Sequence, residues 1–333
     1  MSDLRSRIES LLEPVAPGME AMREVLSSTL RDGSPAVRDM VSHVASFQGK
    51  QLRAALVLLV GRATGRATDE HPTLAAIVEL IHLATLVHDD VLDGAETRRR
   101  VACVNERWDN QTAVLLGDFI YSRSFGLSTT MASRLPSRLL AGTTARLCGG
   151  EIEQAAQRYH FEQSQVGYER IAAAKTAALY SAACELGARY APDDRHGPDD
   201  ELGRSMADFG EELGLAFQII DDCLDLVGEE EVVGKSVGTD VEDGKVTLPV
   251  LHVYAGADDA LRGAIRDVYT RPDLRDRARV LRETVDLEPG IAFARARAEE
   301  LVERALARLA VLPDGPARAT LERIGDFVLG RNW

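Results

Sequence analysis

Apolar residues return at every third or fourth position along most of this chain, and runs of alternating β-branched residues are nearly absent. That spacing lays an apolar stripe along a helix of about 3.6 residues per turn and does not suit a half-buried strand. The clearest segments are LRAALVLLVGRA, TLAAIVELIHLATLVHDDVLD, RIAAAKTAALYSAACELGARY and ADFGEELGLAFQIIDDCLDLV, with SRIESLLEPV near the start. Several are apolar nearly all round, which predicts central helices. Breakers fall between them: QGK at 48–50, GRATGRATDEHP at 61–72, APDDRHGPDD at 191–200 and GEEEVVGKSVGTDVEDGK at 228–245. No stretch reads as a linker between independent halves. The expected fold is therefore one all-α domain over residues 1–333, a bundle of ten or more helices, although such a core is larger than most single ones.

Thirty-nine basic against 53 acidic residues give a net charge of −14, which argues against nucleic acid as a partner. Cys103, Cys148, Cys184 and Cys223 show no metal or disulfide spacing and suit a reducing cytoplasm. The start, MSDLRSRIESLLEPV, lacks a signal-peptide layout. The longest apolar run, Ala54 to Val60, is far short of the ~20 residues that span a bilayer, so no transmembrane segment is expected.

Two apolar helix patterns end in the same acidic arrangement: Asp89, Asp90 and Asp93 in DDVLD, and Asp221, Asp222 and Asp225 in DDCLD. Steps of about 100° put Asp89 and Asp93 about 40° apart, so all three carboxylates can face one direction. Carboxylates clustered at the edge of a core repel one another and lose hydration, and a cation must offset both costs. Oxygen-only ligands favour Mg²⁺, which is commonly completed by substrate phosphates. The reading is a metal-bridged diphosphate rather than a solvated acidic face.

Cationic residues surround the triplets. Arg98 and Arg99 follow the first and suit phosphate, or a salt bridge back to a nearby carboxylate. Lys50 and Arg53, at i and i+3, are expected on one face at a helix start. His82 lies on the Asp89 side of its helix, where a plain core histidine is the bland alternative. Lys175 and Thr176 interrupt an apolar helix, where an ammonium needs an anion. Lys235 and Lys245 sit in a Gly-rich segment that reads as a flexible flap or a solvated loop. Gln218, one turn before Asp222, offers a neutral dipole.

In order, GKQLR, ELIHLATLVHDDVLDGAETRR, VLLGDFIYSRSF, the KTA step, FQIIDDCLD and GKSVGTDVEDGKVTLPVL resemble the trans-polyprenyl diphosphate synthases, closest to the octaprenyl and heptaprenyl branch. The resemblance implies an all-α fold around a central cavity, a homodimer, and Mg²⁺, with three ions when substrate is bound. It also implies a cytoplasmic enzyme that touches membranes only transiently, to release product. Asp89, Asp93 and Asp221 become the leading metal ligands, supported by Asp90, Asp222 and Asp225. Arg98, Lys175 and Lys235 would hold the allylic diphosphate; Lys50, Arg53, His82 and Arg99 would hold isopentenyl diphosphate. The candidate catalytic set is Asp89, Asp90, Asp93, Asp221, Asp222, Lys175 and Gln218, with Thr176 and Lys245 also at the substrate. Two departures from the family pattern, Gln51 in place of a basic residue and Arg100 in place of a glycine, bear on isopentenyl diphosphate binding.

Product length would be set below the first triplet by Val78, Ile81, Ala84 and Thr85, with Tyr121 and Phe125 on the neighbouring helix as deeper floors. No aromatic stands at 84 or 85. One helical turn rises ~5.4 Å, comparable to one isoprene unit, which points to a product of about C30 to C40 rather than a farnesyl or geranylgeranyl chain. A class I terpene cyclase would show a different second metal motif, head-to-head synthases space their acidic residues differently, and a non-catalytic partner subunit would show eroded triplets.

Overall fold

Leu52–Ala63 shows why these segments become helices: from Ala54 to Gly61 every residue is buried, so the contacts of the core fix the backbone more than intrinsic propensity does. The computed structural model describes residues 11–31, 33–47, 49–98, 101–227 and 237–330. In chain order the helices are α1 (Ala16–Leu30), α2 (Pro35–Val44), α3 (Leu52–Ala63), α4 (His71–Leu92), α5 (Val104–Arg107), α6 (Asn110–Thr129), α7 (Leu135–Ala156) and α8 (Gln165–Ala172). After a π-helical turn at Ala173–Ala177 come α9 (Ala178–Arg189), α10 (Glu201–Val227), α11 (Thr239–Glu242), α12 (Leu248–Gly256), α13 (Asp259–Thr270), α14 (Arg277–Thr284), α15 (Glu288–Arg308) and α16 (Pro316–Leu329). The all-α expectation holds. β1 (Thr97–Arg98) pairs antiparallel with β2 (Val101–Ala102), a two-residue ladder just after α4.

The chain resolves into two compact units. The first comprises Met1–Thr144, Leu179–Gly210 and Leu306–Ile324; the second comprises Ala145–Ala178, Glu211–Ala305 and Gly325–Trp333. All five passages of the backbone from one to the other fall inside helices, whereas separable domains usually meet in exposed linkers.

In the first unit α4 packs against α1, α3 and α6, and its residues from Leu74 to Ile81 are buried without a break. Pro72 suits the first turn of α4, where its missing N–H is no loss. In the second unit α8 packs on α12, and α14 on α11 and α13. Glu169 of α8 takes a two-pronged contact from Arg297 of α15, Nε to Oε1 at 2.8 Å and Nη2 to Oε2 at 2.9 Å, which fastens α8 in place.

Three local expectations change. Gln51 adopts a left-handed backbone (φ 49°) and α3 begins after it, so Lys50 lies ahead of the helix and shares no face with Arg53. The helix expected through Lys175 carries a π turn there. Of the segment expected as a flap, residues 237–245 form a fastened turn, with α11 inside it. Among the described residues no helix is long and apolar enough to cross a membrane.

Candidate active site

In the first unit, the first triplet occupies the C-terminal turn of α4. Asp93 is the C-cap, its N–H donating to the Asp89 carbonyl at 2.8 Å, and no basic residue stands in that turn. Here the helix dipole is negative, so each added carboxylate costs about 0.3–1 kcal/mol unless a cation is near. Asp89 is half-buried and Asp93 exposed, one turn apart on one face. Asp90 does not share that face. It is 1% exposed, and its Oδ1 accepts from Arg98 Nε at 2.8 Å and Nη2 at 2.6 Å. The step of about 100° between neighbouring residues turns it inward. Burial and the Asp90 charge together push the adjacent Cys103 thiol up to about 12. Arg98 is thus tied to Asp90, the salt-bridge alternative seen in the sequence. Arg99 and Arg100 lie outside the described residues.

Beside α3, the structure brings Arg53 and His82 together, Nη1 to Nε2 at 3.1 Å, with the guanidinium 4.5 Å from the centre of the Tyr180 ring. Arg53 Nε is buried without a hydrogen-bond partner, and so is Gln51 Nε2, while Gln51 Oε1 accepts from Arg23 Nε at 2.9 Å. Buried donors left unmatched next to a helix N-terminus suit an anion with several oxygens. Lys50 is half-buried immediately ahead of them.

Of the proposed length-setting residues, Val78, Ile81 and Ala84 are fully buried and Thr85 is half-buried, its hydroxyl donating to the His82 carbonyl at 2.7 Å. Tyr121 and Phe125 on α6 stack at 6.4 Å between ring centres, and His88 stands 5.7 Å from Tyr121.

In the second unit, α7 and the π turn meet at Gly150. A Cβ there would stand 2.9 Å from both Ala174 Cβ and Lys175 N, closer than real contacts allow, so only glycine permits the approach. π turns recur at functional sites, and this one carries Lys175. Its Nζ donates to Gln154 Oε1 and meets Glu151 Oε1, each at 2.9 Å. Thr176 Oγ1 donates to Gln218 Oε1 at 2.6 Å, and Gln218 Nε2 donates to Asp222 Oδ1 at 2.6 Å. Tyr168 OH donates to Asp222 Oδ2 at 2.5 Å. Burial foremost, then the nearby Asp240 charge, raises the Asp222 carboxyl to about 8, against those two hydrogen bonds. Raised so far, the carboxyl favours its neutral form unless a cation stands close by.

Asp221 is half-buried, and Asp225 is 2% exposed. Asp225 Oδ1 accepts from Thr239 Oγ1 and Oδ2 from Asp240 N–H, both at 3.0 Å. Lys245 Nζ lies 2.9 Å from Asp243 and 3.7 Å from Asp240. A pocket is lined by Lys175, Lys245, Gln218, Asp222, Tyr168 and Gln154, among others. Lys235 lies outside the described residues.

Sequence reasoning passed over Tyr168, Glu151, Gln154, Asp240 and Asp243. The last two stand in the quoted GTDVEDGK stretch, and Glu151 and Gln154 share a helix face at i and i+3 after Gly150; Tyr168 carries no local signal.

Residues 34–286 match the family described as Polyprenyl synthetase. Over 325 residues the chain is 32% identical to the octaprenyl diphosphate synthase of Escherichia coli K12, covering 98% of this chain and 99% of that one. It is 33% identical over 315 residues to heptaprenyl diphosphate synthase component 2 of Bacillus subtilis, covering 95% and 88%. A decaprenyl diphosphate synthase structure from Rhodobacter capsulatus superposes with a TM-score of 0.88 at 33% identity, over 97% of this chain and 99% of that one. A polyprenyl synthase from Caulobacter crescentus CB15, solved with calcium and isoprenyl diphosphate, gives 0.90 at 31% identity, over 97% of both chains.

Proposed function

The chain belongs to the polyprenyl synthetase family, and we propose that it is a Mg²⁺-dependent trans-prenyltransferase, condensing isopentenyl diphosphate with an allylic diphosphate to a medium- or long-chain all-trans polyprenyl diphosphate. The observation that carries this reading is the pocket where two lysines, Lys175 and Lys245, converge with Gln218 and Asp222. It sets two cationic side chains for a diphosphate beside a neutral amide and a buried carboxyl.

Each acidic triplet offers oxygen donors that suit a hard divalent ion: Asp89 and Asp93 in the first unit, at a helix end without a basic residue in its last turn, and Asp221 in the second. What the metal supplies when bound is charge neutralisation on the diphosphate that leaves. Lys175 and Lys245 hold the allylic diphosphate. Lys50, Arg53 and His82 hold isopentenyl diphosphate, whose double bond attacks the allylic cation, and fixing both reactants contributes much of the rate. Gln218 and Thr176 bring neutral dipoles, so nothing nucleophilic traps the cation. The proton lost afterwards goes to the released diphosphate.

We take residues 1–333 as one domain, since every passage between the compact units lies within a helix. The proposal also includes a homodimer, supported by Leu115 at 60% exposure and Val114 at 42% on α6, and a cytoplasmic setting. Purified protein incubated with Mg²⁺, labelled isopentenyl diphosphate and allylic primers of different length tests the reading, with products identified by mass spectrometry. Elongated diphosphates support it; a cyclised hydrocarbon, or no product under any primer, overturns it.

A further inference from the structure

Asp225 ends the second acidic triplet, yet its carboxylate is already in use within the protein. Oδ1 accepts the Thr239 hydroxyl and Oδ2 the Asp240 N–H, each at 3.0 Å, while the Asp225 carbonyl accepts the Gly238 N–H at 2.7 Å. Helix α11 explains the arrangement. Its N-cap is Gly238, at φ 81°, which has no side chain to satisfy the first-turn N–H groups. A larger residue does not fit there, because a Cβ would stand 2.3 Å from Ala278 Cβ. Asp225 therefore provides from α10 the capping oxygen that Gly238 lacks. A carboxylate is also well placed at the positive end of a helical turn.

The cap reaches the pocket through one short connection. Lys245 N–H donates to the Asp240 carbonyl at 2.8 Å, and Lys245 Nζ sits between Asp240 and Asp243. Moving Asp240 moves the lysine that lines the pocket.

We propose that Asp225 is a positioning residue that caps the 239–242 turn and so places Lys245, and that it is not a metal ligand. The kinetic part of this inference rests on the prenyltransferase reading; the structural part does not. Three proteins are compared: wild type, Asp225→Asn and Thr239→Val. Hydrogen–deuterium exchange over 237–245 is measured without metal, and half-saturating Mg²⁺ and the KM for the allylic diphosphate are measured in turnover. The Asn variant keeps the shape and can still turn its amide oxygen toward the Asp240 N–H, but it loses the charge that strengthens that bond and favours the helix N-terminus. Its exchange at Asp240 should rise about tenfold, the order expected of one hydrogen bond to a charged group. Its allylic KM should rise by a similar factor, with half-saturating Mg²⁺ within about twofold of wild type. Thr239→Val should shift exchange and KM in the same direction by less. Unchanged exchange in Asp225→Asn overturns the cap, and a tenfold or greater rise in half-saturating Mg²⁺ overturns the statement about the metal. Faster exchange in an Asn variant of a protein whose wild type elongates nothing would leave the cap standing and refute the prenyltransferase reading instead.

Discussion

Arg53 and His82 come from different helices, α3 and α4, and meet with Nη1 3.1 Å from Nε2. Since a guanidinium only donates, His82 Nε2 is the acceptor and its proton sits on Nδ1. The same guanidinium lies over Tyr180 at 4.5 Å. A lysine has neither the planar face for that ring nor a fork of donors. Arg53→Lys should therefore raise the KM for isopentenyl diphosphate by about tenfold or more while kcat changes less. Steady-state kinetics with the allylic substrate saturating checks this, and an unchanged KM would remove Arg53 from the binding site.

Asp89 presents a separation of function from stability. Its carboxylate stands at the negative end of α4 with Asp93 one turn on. Asp89→Ala should lower turnover by orders of magnitude. The metal-free protein should stay folded, because Asp89 is only half-buried at the C-terminal turn of α4. Turnover with Mg²⁺ and thermal unfolding with chelator are the two measurements. Near-normal turnover would end the metal-ligand role.

Helices were legible where burial is nearly complete. Leu52–Ala63 folds as its apolar pattern predicts, with every residue from Ala54 to Gly61 buried. The acidic triplets were legible as a repeated motif, but their internal division was not. Asp90 turns toward Arg98, which stands on a two-residue strand that no periodicity announces. The π turn at Lys175 depends on Gly150 in another helix, and the Tyr168 hydroxyl reaches Asp222 across a long sequence separation. Lys50 fell outside its expected helix through a single left-handed residue, Gln51, a conformation a non-glycine seldom takes. Periodicity reports the faces of helices; it carries no information on contacts made by residues from other elements.

Product length can be tested at Thr85 more cleanly than at Ala84. Ala84 is wholly buried, and a phenylalanine there would overpack the core at a cost of about 1–3 kcal/mol. Thr85 is half-buried, so the added ring has somewhere to go. Thr85→Phe should shorten the product distribution by one or more isoprene units with the overall rate of primer use retained. Mass spectrometry of products reads this directly, and an unchanged distribution would place the floor elsewhere.

Two adjacent glycines provide a matched pair. A Cβ at Gly150 would press on Ala174 and Lys175, whereas one at Gly149 meets nothing within 4 Å. Gly149→Ala should be neutral or raise stability by up to about 1 kcal/mol through helix propensity. Gly150→Ala should lower the melting temperature by several degrees and reduce kcat about tenfold or more, as displacement of the π turn moves Lys175. Equal behaviour of the two variants in calorimetry and turnover would show that the close approach has no consequence.

Glu169 links the pocket wall to stability in acid. Burial alone would raise its carboxyl, but hydrogen bonds from Arg297 and Gln165 outweigh burial and hold it below its ordinary value of 4.5. A carboxyl held low in the folded state adds stability that is fully present above the unfolded value and is lost as pH falls through the folded one. At neutral pH, Glu169→Gln should cost about 1.5–3 kcal/mol, the worth of hydrogen bonds to a charged group. Below the unfolded value of 4.5, the wild-type advantage should shrink until the two curves meet. Melting temperature against pH for both proteins is the measurement. Because α8 carries both Glu169 and Tyr168, the variant should also loosen the Tyr168–Asp222 contact and lower kcat at neutral pH. A stability gap that stays constant from neutral to acid pH would mean that the Glu169 charge does not hold this helix.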